Sequence, residues 1–286
     1  MLALASSDAE KLDPHGPGQQ KTSLFVQSAG KILNREYGDC VRAQVSDSCF
    51  QNDGVSFLLL DARTGAVLAS RWERPERPIP LGSLVKPFTA LAYGEQHSFS
   101  YPAHICHGTS TGCWLPRGHG DIDLTAAIAY SCNSYFRMLT AKMSAADVLP
   151  VAHTFGIQSP NPTSSGVSLA GIGESWLISP LSMANAYLEL VRRRDQPGVR
   201  QVLAGMEKSA RQGTGAEVDR ALQHRNALAK TGTAPCTHLK SAPGDGFVIA
   251  MLPTDDPQIL LMVRVHGMPG AQAAKTAGRM LRRIEE

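Results

Sequence analysis

No stretch of this chain reaches the run of about 18 apolar residues that a membrane-crossing helix needs, so nothing in it reads as a transmembrane segment. Charge of one sign is also scarce. The net charge is only +3 over 286 residues, and the basic residues are scattered. Arg192-Arg193-Arg194 is the exception, and it reads as a solvated helix end facing the negative end of the dipole. This balance excludes nucleic acid as a partner. There is no repeat at a fixed period, which excludes a solenoid, and no low-complexity tract. The N-terminus lacks the charged and apolar regions of a signal peptide. Even so, Ala3-Leu4-Ala5 before Ser6 follows the small-x-small pattern that precedes a cleavage site. The expectation is an exported, periplasmic or otherwise extracytoplasmic protein whose true start lies upstream.

Hydrophobic residues make up 43% of the chain, enough for a substantial core. Residues 1–20 are polar, with Pro14, Gly16, Pro17 and Gly18, and read as a mobile tail. From Phe25 to Tyr37 the apolar spacing is helical and ends at Gly38. Val55–Leu60 and Ala66–Ala69, joined through Asp61–Gly65, predict a β-hairpin. The middle, from Ser83 to about Arg194, is mostly helical. Ser144 with Asp147 reads as a capping box, and Ser179-Pro180 as a helix start. Leu228–Thr233, Phe247–Leu252 and Gln258–His266 are strand-like, and a helix covers Ala271 to Ile284. The expected fold class is α+β: a mainly antiparallel sheet covered by terminal helices, with an inserted all-helical subdomain. The expected boundaries are one domain over 21–286, with the sheet part in 21–82 and 226–286 and the helical part in 83–225.

Six cysteines are present. Cys40 lies near Cys49 and Cys106 near Cys113, a spacing that suggests short disulfide loops in an exported protein, with buried free thiols as the equally weighted reading. His104, Cys106, His107, Cys113 and His119 crowd together, so zinc is the alternative to a Cys106–Cys113 disulfide. Their spacing follows no standard finger, and the disulfide is preferred, with no metal assigned. Cys236 follows the Lys230-Thr231-Gly232 strand closely and is read either as lining the site or as a packing residue, with packing preferred.

Three short motifs occur in order: Ser83-Leu84-Val85-Lys86, Ser131-Cys132-Asn133 and Lys230-Thr231-Gly232. The first two are weak patterns alone, because Ser28-Ala29-Gly30-Lys31 and Ser159-Pro160-Asn161 fit them as well. Context separates them. Pro80 and Gly82 precede Ser83 and an apolar helical pattern follows it, which puts Ser83 at a helix N-terminus, where a developing alkoxide is stabilised. Lys86 falls one turn on, on the same face. Ser28 sits inside a helix ahead of every strand and reads as a decoy. A serine needs a base to attack, and a lysine serves once burial and a nearby positive charge, here Lys230, lower its pKa. Ser131 can relay a proton to a leaving amine, and Asn133 can bind a substrate amide. Lys230 can draw a carboxylate, and Thr231 and Thr233 share one face of a strand around Gly232.

In this combination the sequence resembles the transpeptidase domain of penicillin-binding proteins over about residues 50 to 285. Further matches are Gly65–Ala69, His119-Gly120, Gly171-Ile172-Gly173 with Ile178–Leu181, Gly213-Thr214-Gly215, and Asp245-Gly246-Phe247 with Pro253. Two departures are Leu81, where many relatives have Pro, and Gly246, where an aromatic residue is usual. The resemblance implies acylation of Ser83 with Lys86 as base, and Ser131, Asn133 and Lys230 completing the site. The backbone N–H groups of Ser83 and Thr233 would form the oxyanion hole. It implies a peptidoglycan stem peptide as substrate, β-lactams as covalent inhibitors, a cell-wall assembly partner and no cofactor. The chain reads as a bare catalytic module. A serine β-lactamase is the nearest alternative, with Glu174 the candidate deacylation base, although Glu174–Ile178 lacks the Asn that helps hold a deacylating water. A non-turnover β-lactam-sensing or peptide-binding module is the third reading.

Overall fold

The computed structural model describes residues 17–38, 54–224, 226–236 and 244–286. Residues 1–16, Cys40 and Cys49 lie outside them, so the pairing expected of those two cysteines does too.

Helix α1 (Pro17–Leu33) runs into a π-helical turn over Asn34–Gly38. It begins inside the stretch read as a tail and ends at the glycine expected to stop it. Strands β1 (Val55–Asp61) and β2 (Val67–Arg71) form the predicted antiparallel hairpin. The Asp61 carboxylate accepts from the N–H of Arg63 at 2.8 Å and of Thr64 at 3.1 Å, which closes the turn. Near the other end of the chain come β7 (Leu228–Ala234), β8 (Asp245–Leu252) and β9 (Ile259–Val265). The five strands make one antiparallel sheet in the order β2-β1-β9-β8-β7. Both chain ends therefore meet at the β1–β9 pair, in the register Phe57 to Val263 and Leu59 to Leu261.

The sheet is covered on both faces, and this explains the unbroken apolar runs of its central strands. Alternate residues face opposite ways. Phe57, Leu59, Val248, Ala250, Leu261 and Val263 pack against the terminal helices. The second of these is a long helix over Gly270–Glu285, with Ala273, Ala274, Ala277, Met280, Leu281 and Ile284 as its buried stripe. Leu58, Leu60, Phe247, Ile249, Met251, Leu260 and Met262 face the other way, into the helical mass.

That mass begins with a single 3-10 turn, Gly82–Val85, feeding directly into α2 (Lys86–Gln96). Two small antiparallel pairs belong to it as well: β3 (Ile79–Pro80) with β6 (Leu177–Ile178), and β4 (His104–Cys106) with β5 (Gly120–Ile122). The main helices are α3 (Leu124–Ala129), α4 (Asn133–Thr140), α5 (Ala145–Thr154), α6 (Gly166–Leu169), α7 (Pro180–Arg192), α8 (Val199–Gln212) and α9 (Ala216–Ala221). The C-terminal helix is α10. The Ser144/Asp147 capping box opens α5, and Ser179 caps α7, accepting from the Ser182 N–H at 3.0 Å. Among the described residues no helix is long and apolar enough to cross a membrane.

Candidate active site

A cleft of about 1200 Å³ lies where the helical mass meets the free edge of β7, and Ser83, Ser131, Asn133, Thr231, Gly232 and Thr233 all line it. The three motifs therefore arrive from three elements: the 3-10 turn, the loop ahead of α4, and strand β7. Ser28 and Lys31 are exposed on α1, and Ser159 and Asn161 are exposed on a loop; none of them lines the cleft.

Close backbone packing holds the first motif against the third. Gly82 has φ +55°, and a Cβ there would stand 2.1 Å from the Thr233 carbonyl oxygen. Only glycine permits both the left-handed conformation and that approach. A Cβ on Gly171 would meet the Gly82 carbonyl oxygen at 2.7 Å, so the Gly171-Ile172-Gly173 segment packs closely on the Gly82–Val85 turn. The aromatic residue missing beside Phe247 has a similar reason. A Cβ on Gly246 would stand 2.3 Å from the Pro269 carbonyl oxygen, at the entry to α10.

The two lysines are fully buried, and both amines reach Ser131. Lys86 Nζ donates to the Ser131 carbonyl at 2.8 Å, to Asn133 Oδ1 at 2.7 Å and, more weakly, to Ser131 Oγ at 3.4 Å. Lys230 Nζ donates to Ser131 Oγ at 2.9 Å and to the Thr231 carbonyl at 2.8 Å. Ser131 itself has φ +51°, a left-handed conformation that costs a non-glycine residue on the order of 1–3 kcal/mol. Among the described residues the Ser83 hydroxyl has no hydrogen-bond partner, and it stands at the cleft. Lys86, expected to sit beside it, makes its hydrogen bonds to the Ser131–Asn133 loop.

Burial lowers the Lys86 amine to about 7; the Cys132 and Cys113 thiols oppose this, and the Arg137 guanidinium adds to it. Desolvation is thus the main cause; the sequence suggested burial together with the charge of Lys230, and it is burial that dominates. Lys230 lies well below the ordinary lysine range, first from burial and then from repulsion by Lys86. Thr231 Oγ1 donates to Thr214 Oγ1 at 2.6 Å, tying β7 to the Gly213-Thr214-Gly215 turn, and Thr233 Oγ1 accepts from the Gly270 N–H at 3.0 Å.

Sequence reasoning passed over Trp114, a half-exposed indole on the cleft wall whose Nε1 donates to the Tyr130 carbonyl at 3.2 Å. Of the two readings of Cys236, the structure gives the one that lines the cleft. Glu174 also stands on the wall, exposed, with no hydrogen bond or ion pair among the described residues to hold its carboxylate. The Cys106–Cys113 disulfide is not formed. Both are separate thiols, joined by Cys132 and His119 in one buried cluster.

No curated protein matches the sequence. Among solved structures, the chain superposes on Pseudomonas aeruginosa PBP2 with a TM-score of 0.69 at 16% identity, over 92% of this chain and 73% of that one. The transpeptidase domain of Burkholderia pseudomallei penicillin-binding protein 3 gives 0.62 at 16%, over 92% and 93%. Helicobacter pylori PBP2 in complex with MreC gives 0.69 at 17%, over 84% of this chain; the chain spans 61% of that protein's length. At these identities the superpositions show the fold. The family model for the penicillin-binding protein transpeptidase domain matches residues 55–286, from the first strand of the sheet to the last helix that covers it. A match of that extent makes the chain a member of the penicillin-binding protein transpeptidase family.

Proposed function

We propose that the chain is a serine-type D-Ala-D-Ala transpeptidase or carboxypeptidase acting on peptidoglycan stem peptides outside the cytoplasmic membrane. The observation that carries this reading is the convergence of two buried lysine amines on one serine hydroxyl, beside a second serine open to the cleft. In this reading neutral Lys86 takes the proton as Ser83 Oγ attacks the peptide carbonyl. The backbone N–H groups of Ser83 and Thr233 receive the oxyanion. Ser131, held between the two amines, passes a proton to the departing D-alanine nitrogen. Asn133 binds a substrate amide. Lys230, Thr231 and Thr233, beside Gly232, draw the terminal carboxylate to the free edge of β7, where an extended peptide can pair as an added strand. The acyl group then passes to an amine in transpeptidation or to water in carboxypeptidation.

The division into a sheet part (21–82 and 226–286) and a helical part (83–225) belongs to the same reading, with the cleft between them. A cell-wall assembly partner does too, since the Helicobacter pylori relative was solved in complex with MreC. The test is covalent labelling by a penicillin, monitored by intact mass. Ser83→Ala is expected to abolish the adduct and Ser28→Ala to leave it intact. Labelling of the Ser83→Ala protein would remove the assignment.

A further inference from the structure

Beneath the Ser131-Cys132-Asn133 loop lie three sulfurs and one imidazole nitrogen, and their mutual distances are those of a metal's coordination sphere. Cys106 ends β4, Cys113 comes just after a 3-10 turn, His119 leads into β5, and Cys132 caps α4. Their four ligand atoms all lie within 4.8 Å of one another. The Cys113 and Cys132 sulfurs are 3.8 Å apart, and His119 Nδ1 is 3.5 Å from each of the Cys106 and Cys113 sulfurs. Tetrahedral zinc has Zn–S near 2.3 Å and Zn–N near 2.0–2.1 Å, which sets ligand separations of about 3.8 Å for S···S and about 3.5–3.6 Å for S···N. The observed separations agree with both. A disulfide would draw two of the sulfurs to about 2.0 Å and leave the third thiol and the imidazole without a role.

The surroundings are those of a built site. His119 is fixed by stacking on Tyr130 and by the edge contact with Trp114. Its Nε2 is buried without a hydrogen-bond partner, and its Nδ1 meets only the two sulfurs, so the ring is aimed at the cluster and at nothing else polar. Backbone N–H groups point at the sulfurs as well: those of Gly108 and His119 at Cys106, and that of Tyr135 at Cys132, the last at 3.5 Å. Such donors stabilise thiolates and orient ligands. The loop carrying Cys106 and Cys113 is folded tightly on itself. Gly108 and Gly118 have φ +73° and +76°, and a Cβ on Gly118 would stand 2.1 Å from the Cys106 carbonyl oxygen. That compaction brings residues from Cys106 to His119 around one point.

We propose that Cys106, Cys113, His119 through Nδ1, and Cys132 form a closed tetrahedral zinc site. With four protein ligands and no open position, the ion is structural. Cys132 lies between Ser131 and Asn133, so the metal anchors the loop that presents both of them to the cleft. It also holds Ser131 in its left-handed conformation from one residue away. Zinc positions this loop and does not touch the substrate.

The test is metal analysis of the whole chain purified without chelator, and again after loading with zinc and desalting. One zinc per chain is expected. Cobalt substitution should give the intense visible bands of a tetrahedral site together with thiolate-to-metal charge transfer. Cys106→Ala should lose the metal. Cys106→Asp, which keeps a ligand, should bind it at least about 10-fold more weakly but still bind. Cys236→Ala should keep one zinc, since Cys236 belongs to a different grouping, with Asp245 and His266. Ser83→Ala should hold the same zinc, so the metal count does not depend on the function proposed above. Penicillin labelling should slow at least about 10-fold in Cys106→Ala and recover in Cys106→Asp on zinc loading, a rescue that packing alone would not produce. If Cys106→Ala does not fold, the wild-type stoichiometry and the cobalt spectrum decide. Substoichiometric zinc after loading, whether the cysteines are then thiols or a disulfide, overturns the proposal. So does a cobalt spectrum without thiolate charge transfer. A folded, metal-free chain that labels as fast as the loaded one overturns the positioning role.

Discussion

At the scale of single residues, the chemistry turns on which amine is neutral. In the proposed reaction Lys86 is the base, which it can be only when deprotonated, and burial brings its pKa to about 7. The groups acting on it are the Cys132 and Cys113 sulfurs, which favour its charge, and Arg137, which opposes it. The rate of acylation by a β-lactam is therefore expected to rise with pH through about 7 and then level off. A rate already flat well below neutral pH would count against Lys86. Lys86→Arg keeps the charge but cannot give up a proton, and should slow labelling by about 10²–10⁴-fold, the usual worth of general base catalysis. The motif residues were legible because each is short-range: Ser83 and Lys86 are three positions apart on one turn. The direction of the Lys86 amine was not legible, because its partners, Ser131 and Asn133, come from a different element.

Between elements, the site depends on the fit of the Gly82–Val85 turn against β7. Gly82→Ala forces a Cβ onto the Thr233 carbonyl in a left-handed conformation. It should cost about 2 kcal/mol or more and reduce β-lactam labelling in whatever folds. An unchanged denaturation midpoint would show that the turn can move away. Two strands are held at the same end of the sheet by a buried ion pair. Arg264 of β9 donates to Asp245 of β8 through Nε at 3.0 Å and through a second nitrogen, and the carboxylate also accepts the Gly267 N–H at 3.0 Å. Burial raises the Asp245 carboxyl, but these bonds outweigh it and leave the pKa below the ordinary value. The stabilisation is therefore present above the ordinary carboxylate range and lost as pH falls through the lowered value. Asp245→Ala strands a buried guanidinium and should cost about 3–5 kcal/mol by chemical denaturation near neutral pH. Loss of less than about 1 kcal/mol, the usual range for exposed pairs, would mean that the charge finds water.

For the whole molecule, the proposed function turns on the fate of an acyl group on Ser83. In the proposed reaction the cleft offers Ser83 as nucleophile, Lys86 as base, Ser131 as proton relay and Lys230 as carboxylate anchor. Its one wall carboxylate considered for a second base, Glu174, is exposed and unanchored. A β-lactam leaving group stays tethered and blocks an incoming amine, so water must attack without general base help and forgoes about 10²–10⁴-fold. The penicilloyl adduct on Ser83 is expected to last minutes or longer by intact mass, with Glu174→Ala changing its lifetime little. Turnover of penicillin many times per second, stalled as an adduct by Glu174→Ala, would instead make the chain a β-lactamase.

The sequence by itself determined the elements and the order of the motifs. The central sheet strands show as continuous apolar runs because both faces are covered, and α5 and α7 announce themselves by their caps. Those signals are local, carried by residues within a turn or a strand of each other. Tertiary structure decided what is brought together from a distance. The cysteine spacing suggested a Cys106–Cys113 disulfide. The chain instead folds Cys132, nineteen positions beyond Cys113, against both of them, because the loop ahead of α4 must turn there to present Ser131 and Asn133 to the two lysines. Spacing along the chain measures how near two thiols lie in sequence. Which third sulfur and which imidazole nitrogen complete the cluster is set by how β4, β5 and α4 pack, and that is a property of the folded molecule alone.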